Sequence, residues 1–149
     1  MTDAQAFAEF SWRSAAGLAE KYVALWNEPD PGRRRRMIGE LWTEDGRHVL
    51  QPPQEIRAIA AQPGIALTAT LEARGYEEIE ARATSAYEHW VGSEGLSFRG
   101  RDDVEQLADV VKFHWEAVSR DGDVAAVGLV FVVLGRDGRI RRDYVFIEG

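Results

Sequence analysis

The sequence predicts an α+β domain in which helices come first and a mostly antiparallel sheet comes last. Three apolar, strand-like runs close the chain, at residues 109–118, 124–134 and 140–147. Both breaks between them are Asp-Gly, a dipeptide typical of hairpin turns because glycine tolerates positive φ. Helical periodicity instead dominates the first 42 residues. Helices segregated from an antiparallel sheet define this fold class.

Two helices are predicted at the start of the chain. The first covers residues 7–26, where apolar residues recur at helical spacing and charged residues fall between them. Asp30 is placed to cap the second helix and Pro31 to occupy its first position. The inward face of the second helix is predicted to consist of Met37, Ile38, Leu41 and Trp42.

In the middle of the chain the residue pattern predicts short strands and a third helix. In order, the predicted elements are a turn at 43–46, a strand at 47–50, a strand at 65–71, a helix at 76–91 and the first sheet strand at 96–99. Pro52 and Pro53 close the first strand because proline cannot donate to a ladder. Residues 51–63 show no clear pattern.

Length and composition indicate one globular domain, residues 1–149. Of these residues 45% are hydrophobic and 29% are charged, which argues against a disordered chain. The net charge of −7 disfavours a nucleic-acid partner. The four consecutive arginines at 33–36 are interpreted as a solvated helix face.

No redox or targeting signal is present. The chain has no cysteine, so disulfides, thiolate nucleophiles and thiolate metal sites are excluded. No apolar run is long enough to span a bilayer, and the first residues lack the basic start of a secretory signal. We therefore expect no membrane partner and a cytoplasmic location.

Four segments together resemble the SnoaL-like branch of the nuclear transport factor 2 (NTF2-like) superfamily. They are YVALWNEPD, LWTEDGRHVLQPP, the Arg-Gly-Tyr entry to the third helix, and the closing GRIRRDYVFIEG. The resemblance implies a curved sheet wrapped around about three helices as a cone, with an apolar pocket for a small organic molecule. It also implies homodimers that form through the outer sheet face, and acid/base catalysis with no metal or organic cofactor.

The closing strand is similar to that of limonene epoxide hydrolases, which implies a catalytic role for Asp143. Aligned on those enzymes, Lys112 and His114 take the positions of an Arg and an Asp two residues apart. His48 and Leu50 stand where those enzymes have a Tyr and an Asn. The water-positioning residues are therefore not reproduced.

His114 and Asp143 are the predicted proton-transfer pair. A carboxylate beside an imidazole fixes its tautomer and strengthens it as a base. Lys112 would add positive charge near a developing oxyanion or hold Asp143 ionised, and His48 would orient substrate or water. The alternative is that His114 lies on a dimer face, since Lys112, His114 and Glu116 share one face of their strand. Simple counting through tight turns puts Tyr144 and Phe146, rather than Asp143, beside His114.

The remaining aromatic and histidine residues divide between pocket, core and surface. Tyr22, Trp90, Trp115 and Tyr144 are predicted to bind substrate, whereas Trp26, Trp42 and Phe131 are predicted core. His89 is predicted to be exposed. No metal-ligand spacing is present.

The predicted function is therefore cofactor-free isomerase, cyclase, dehydratase or epoxide-hydrolase-like chemistry. The alternative is a dimer that binds a small molecule without turnover.

Overall fold

The computed structural model describes residues 14–51 and 71–148. Over these residues three helices pack against one curved, unclosed sheet of seven strands, which confirms the predicted α+β class. In chain order the elements are α1 (Ala15–Asn27), α2 (Pro31–Leu41), β1 (Trp42–Leu50), β2 (Leu71–Arg74), α3 (Gly75–Ala86), a π-helical segment (Tyr87–Ser93), β3 (Ser97–Gly100), β4 (Glu105–Leu107), β5 (Val110–Val118), β6 (Val124–Leu134) and β7 (Ile140–Glu148).

The sheet is mixed, with the order β2-β1-β7-β6-β5-β3, and β4 also pairs with β5. Of the six strand pairings among the described residues five are antiparallel, but β1 and β7 run parallel. Local sequence signals do not predict this parallel pair, because the two strands lie at opposite ends of the described chain. The pairing matters because it joins the strand of His48 to the strand of Asp143.

Helix capping follows the sequence closely. The Asp30 carboxylate accepts a hydrogen bond from the Arg33 amide at 2.7 Å, and Pro31 occupies the first turn of α2, as predicted. Ser14 caps α1 through the Gly17 amide at 3.0 Å. The predicted helix residues before 14 and the predicted strand residues before 71 lie outside the described residues.

The predicted turn at residues 43–46 is wrong. β1 runs from Trp42 to Leu50, with a shift in its pairing with β7 between Trp42 and Arg47. This irregularity absorbs Thr43-Glu44-Asp45-Gly46 into the strand, where a turn-like composition is tolerated at a bulge. Trp42 consequently belongs to β1 and not to α2.

The three closing strands agree with the prediction to within a residue, and glycines at the two turns adopt positive φ, +91° at Gly122 and +80° at Gly138. The short strand β4 was not predicted, because residues 105–107 carry no strand periodicity.

The core lies between the helices and the concave face of the sheet. Its largest fully buried side chains are Trp42, Tyr22, Phe113, Leu18, Leu25, Ile38, Leu41, Ile79, Leu134, Ile140, Val111 and Val130. One arginine of the 33–36 run departs from the predicted solvated face: Arg34 is buried, with its guanidinium 5.0 Å from the centre of the Tyr87 ring. Such a cation–π contact lets a guanidinium pack inside the protein.

Candidate active site

Asp143 is fully buried on β7 and accepts three side-chain hydrogen bonds. The Tyr22 hydroxyl donates to Oδ2 at 2.7 Å, and the Trp42 indole Nε1 donates to Oδ1 at 2.9 Å. The Nδ1 atom of His48 lies 2.7 Å from Oδ2. A buried carboxylate is costly unless hydrogen bonds compensate it, and here both of its oxygens are satisfied.

The strand register places this cluster. His48 on β1 is paired directly with Asp143, and Asp143 with Val132 on β6. Side chains at paired positions point to the same face of a sheet, and Val132 is a fully buried core residue. His48 and Asp143 therefore both point to the concave face, where α1 supplies Tyr22.

Tyr22 is held as a hydrogen-bond donor. Its burial, together with the negative charge of Asp143 and the hydrogen bond to it, raises the pKa of Tyr22 well above the ordinary value. The phenol therefore stays protonated at neutral pH and fixes the carboxylate in place.

A cavity of about 320 Å³ opens beside this cluster. Its described lining residues are Tyr22, Trp26, His48, Leu50, Gln51, Arg82, Ala86, Trp90, Leu96, Phe98, Trp115, Ala117, Ala125, Ala126, Val145 and Ile147. Most of them are apolar, so the lining suits an organic molecule with few polar groups. His48 and Tyr22 bring the hydrogen-bonded cluster to the cavity wall.

His48 is oriented with one nitrogen towards Asp143. When Nδ1 carries the hydrogen donated to that carboxylate, Nε2 keeps a lone pair, and no hydrogen bond joins Nε2 to a described residue. The Trp26 ring lies 5.2 Å from the His48 ring and the Trp42 ring 6.2 Å away, centre to centre. These rings fix the imidazole plane. The arrangement can therefore offer a base to a molecule in the cavity.

The predicted pair of His114 and Asp143 does not form. His114 is paired with Leu129, and Leu129 with Phe146, so His114 and Phe146 share the convex face of the sheet. Asp143 is three residues before Phe146 on the same strand and points to the opposite face. His114 instead contacts Asp103 through Nδ1 and Glu148 through Nε2, the latter at 3.1 Å. Simple counting from the turns had identified the correct face.

Lys112 also lies away from the cavity. It shares the convex face with His114, and its ammonium group is 3.5 Å from Glu105 on β4. Its proposed position near Asp143 is therefore wrong, for the same reason of strand alternation.

Three of the four predicted substrate-binding residues line the cavity: Tyr22, Trp90 and Trp115. Tyr144 does not, because it follows Asp143 on β7 and faces the convex side, opposite Phe131 on β6. Trp26 was predicted as core but lines the cavity.

Arg82 was missed by the sequence analysis. It precedes Ala86 by four residues and Trp90 by eight, and all three line the cavity. This helical spacing was the available signal, since positions four apart share a helix face.

Two negative findings concern the described residues only. In residues 14–51 and 71–148 no three His, Asp or Glu side chains come close enough together to hold a metal ion. None of the helices in the same ranges combines the length and the apolar character needed to cross a membrane. His89 is exposed, as predicted, and its ring lies 4.3 Å from that of Trp90.

Comparison with known proteins shows the fold and a similarity to one family. No protein-family model matches the sequence, and no curated protein is significantly similar to it. Among solved structures, a presumed isomerase of the SnoaL-like family from Agrobacterium tumefaciens superposes with a TM-score of 0.72 at 27% identity, covering 91% of this chain and 97% of that one.

Two further structures share the fold at lower identity. A SnoaL-like protein of unknown function from Burkholderia thailandensis gives a TM-score of 0.60 at 18% identity, covering 91% of this chain and 94% of its own. A presumed polyketide cyclase from Sinorhizobium meliloti gives 0.55 at 12%, covering 87% and 93%. In its curved, unclosed sheet and in its match to the Agrobacterium protein, the chain is similar to the SnoaL-like branch of the NTF2-like superfamily.

Proposed function

We propose that the protein is an acid/base enzyme that moves a proton on a largely apolar organic substrate, with His48 as the base and Asp143 as the residue that positions it. The observation that carries the proposal is the 2.7 Å contact between His48 Nδ1 and the buried Asp143 carboxylate, at the wall of the cavity. The reaction class is isomerisation, cyclisation or dehydration. Two of the similar structures are described as an isomerase and a polyketide cyclase.

The proton balance of the step is simple. The Nε2 lone pair of His48 removes a proton from a carbon next to a substrate carbonyl, and the electron pair of the C–H bond moves into the carbonyl to give an enolate. The imidazolium formed in this step is stabilised by the Asp143 carboxylate. The same Nε2–H then returns the proton to a different carbon or to a leaving oxygen. No electron is gained or lost, so the step needs no oxidant or reductant.

The neighbours of Asp143 explain why the carboxylate does not take the proton itself. Tyr22 and Trp42 each donate a hydrogen bond to it. Both carboxylate oxygens are therefore occupied by hydrogen-bond donors of the protein. Asp143 does not line the cavity, whereas His48 does. The substrate therefore meets the imidazole, and the carboxylate acts through it.

Exchange of substrate hydrogens with solvent tests this proposal without knowledge of the natural substrate. The purified protein is incubated in deuterated water with a panel of bicyclic ketones that includes β-tetralone, and deuterium uptake next to the carbonyl is followed by NMR. We expect the protein to accelerate exchange of at least one ketone. We expect His48→Gln to lower that rate by about 100-fold or more, since positioned acid/base groups contribute factors of this order.

His114→Gln is the matched control, because it removes a histidine from the convex face. It should exchange at the wild-type rate. Exchange that is equally fast in His48→Gln and wild type would contradict the assignment. Acceleration of no ketone in the panel would favour the alternative function, a protein that binds small molecules in this apolar cavity without turnover.

A further inference from the structure

Arg82 brings an unpaired positive charge to the cavity. It lies on the cavity-facing side of α3, and its Nη1 atom is buried with no hydrogen-bond partner among the described residues. Burial lowers the pKa of Arg82, and no charged or hydrogen-bonding neighbour contributes to that shift. A guanidinium is effectively always charged, so burial of one of its nitrogens without an acceptor is unfavourable.

A second donor in the cavity wall is also unsatisfied. The indole Nε1 of Trp26 is buried, and in residues 14–51 and 71–148 it has no hydrogen-bond partner. Of the other polar side chains in the described lining, Gln51 accepts from the Ile147 amide at 2.9 Å, Tyr22 donates to Asp143, and His48 keeps only its Nε2 atom for a ligand. Buried polar groups are normally hydrogen-bonded. Two orphan donors in one cavity indicate that an acceptor belongs there.

Arg34 is a second buried arginine of this protein, and an aromatic ring compensates its charge. Its guanidinium also has unpaired nitrogens, but it stacks over the Tyr87 ring, and it does not line the cavity. The ion pairs of the described residues likewise engage Arg33, Arg35, Arg99 and Arg101 but not Arg82.

We propose that the cavity takes ligands that carry a carboxylate, which pairs with the Arg82 guanidinium. A carboxylate matches the planar fork of a guanidinium and can accept two parallel hydrogen bonds. The rest of the lining is apolar and the cavity is about 320 Å³, so the ligand class is aromatic or alicyclic carboxylic acids. The inference rests on the proposed function in that it names the substrate class of the same cavity.

Binding of matched acids and amides tests the inference. The panel consists of naphthalene carboxylate and naphthalene carboxamide, with further aromatic and alicyclic pairs of the same design, and affinity is measured by calorimetry. Each pair has the same shape and differs in charge. We expect at least one acid to bind about tenfold or more tightly than its amide.

Variants of Arg82 test whether this residue causes the preference for an acid over its amide. Arg82→Met should weaken binding of the acid by about tenfold or more and leave binding of the amide within about twofold. Arg82→Lys, which keeps the charge, should retain part of the preference and guards against loss of folding in the methionine variant. Arg36→Met is the charge-matched control, since Arg36 is exposed and outside the cavity, and it should bind as wild type does.

A panel in which no acid is favoured over its amide, including one in which nothing binds, would overturn the inference. So would an equal loss of acid and amide binding in Arg82→Met. The two proposals can fail separately. Acid binding that depends on Arg82, without deuterium exchange on any ketone, leaves this inference standing and removes the catalytic one. Deuterium exchange that requires His48 but not Arg82, in a protein that shows no preference for carboxylates, leaves the catalytic proposal standing and removes this inference.

Discussion

At the scale of single residues, Asp143 organises the site because it is the point where three elements meet. α1 contributes Tyr22, and β1 contributes both Trp42 and His48. A carboxylate with no exposed surface cannot rely on water, so each donor that is removed leaves an unsatisfied charge. This dependence gives the site its rigidity and fixes the ring of His48.

Tyr22 provides a pH test at this scale. Its pKa is raised above the ordinary value of 10.0 by burial and by Asp143. Above about pH 10 the tyrosine of the unfolded chain loses its proton while Tyr22 of the folded protein keeps its own. The unfolded state then binds fewer protons, so the free energy of unfolding falls as pH rises. Up to about 1.4 kcal/mol per pH unit is expected from this residue.

Urea unfolding from about pH 8 to about pH 11 measures the effect. In Tyr22→Phe this contribution is absent, so the free energy of unfolding should fall less steeply with rising pH than it does in wild type. Tyr144→Phe, on the convex face, should keep the wild-type slope. Identical slopes for wild type and Tyr22→Phe would show that Tyr22 ionises in the folded protein as it does in the unfolded chain.

At the scale of elements, β6 shapes the cavity by the absence of a side chain. Gly128 is paired with Trp115 across the β5–β6 ladder, and a Cβ on Gly128 would overlap the indole of Trp115. The indole lines the cavity and lies edge-on to Phe98, with ring centres 5.3 Å apart. Gly128 thus lets a large aromatic ring lie flat over the sheet.

Gly128→Ala should therefore displace Trp115 and disturb the cavity wall. Overpacking of this kind costs about 1–3 kcal/mol, which is read out as a lower urea midpoint together with a changed Trp fluorescence spectrum. The matched control is Gly100→Ala on β3, where a Cβ would meet nothing within 4 Å. Equal stability of the two variants would contradict the proposed packing.

The closing hairpins and the helix caps could be predicted because their determinants are local. Asp30 caps the helix that begins at the next residue through an amide three positions along, and each Asp-Gly turn joins strands that follow one another. The π-helical segment that carries Trp90 was harder to predict from the sequence, since residues 87–93 have ordinary helical composition.

At the scale of the whole molecule, the site depends on contacts that local patterns do not contain. His48 and Asp143 are 95 residues apart, and they meet because β1 and β7 pair in parallel. Asp143 could be proposed from the resemblance alone. His48 was predicted to orient substrate or water, but its contact with Asp143 could not be predicted, because neighbouring positions of a strand face opposite sides of the sheet and the sequence did not settle the face of His114 and Lys112.

The convex face of the sheet carries the charged residues that were assigned to the cavity. His114, Lys112 and Glu116 lie there with Phe131 and Phe146, whose rings meet edge to face at 5.9 Å. Phe146 is 47% exposed in the single chain. The predicted homodimer stays a prediction, and this face is where the resemblance places its interface.

The most direct test of the account is the protonation of the His48 ring, measured from its two ¹⁵N chemical shifts near neutral pH. His89→Gln and His114→Gln assign the signals by removing the other two histidines. We expect the His48 ring to be neutral, with a hydrogen on Nδ1 and a lone pair on Nε2. In Asp143→Asn we expect this single tautomer to be lost. A neutral ring protonated on Nε2, or a ring protonated on both nitrogens, would contradict the claim that Asp143 holds His48 as a base for the cavity.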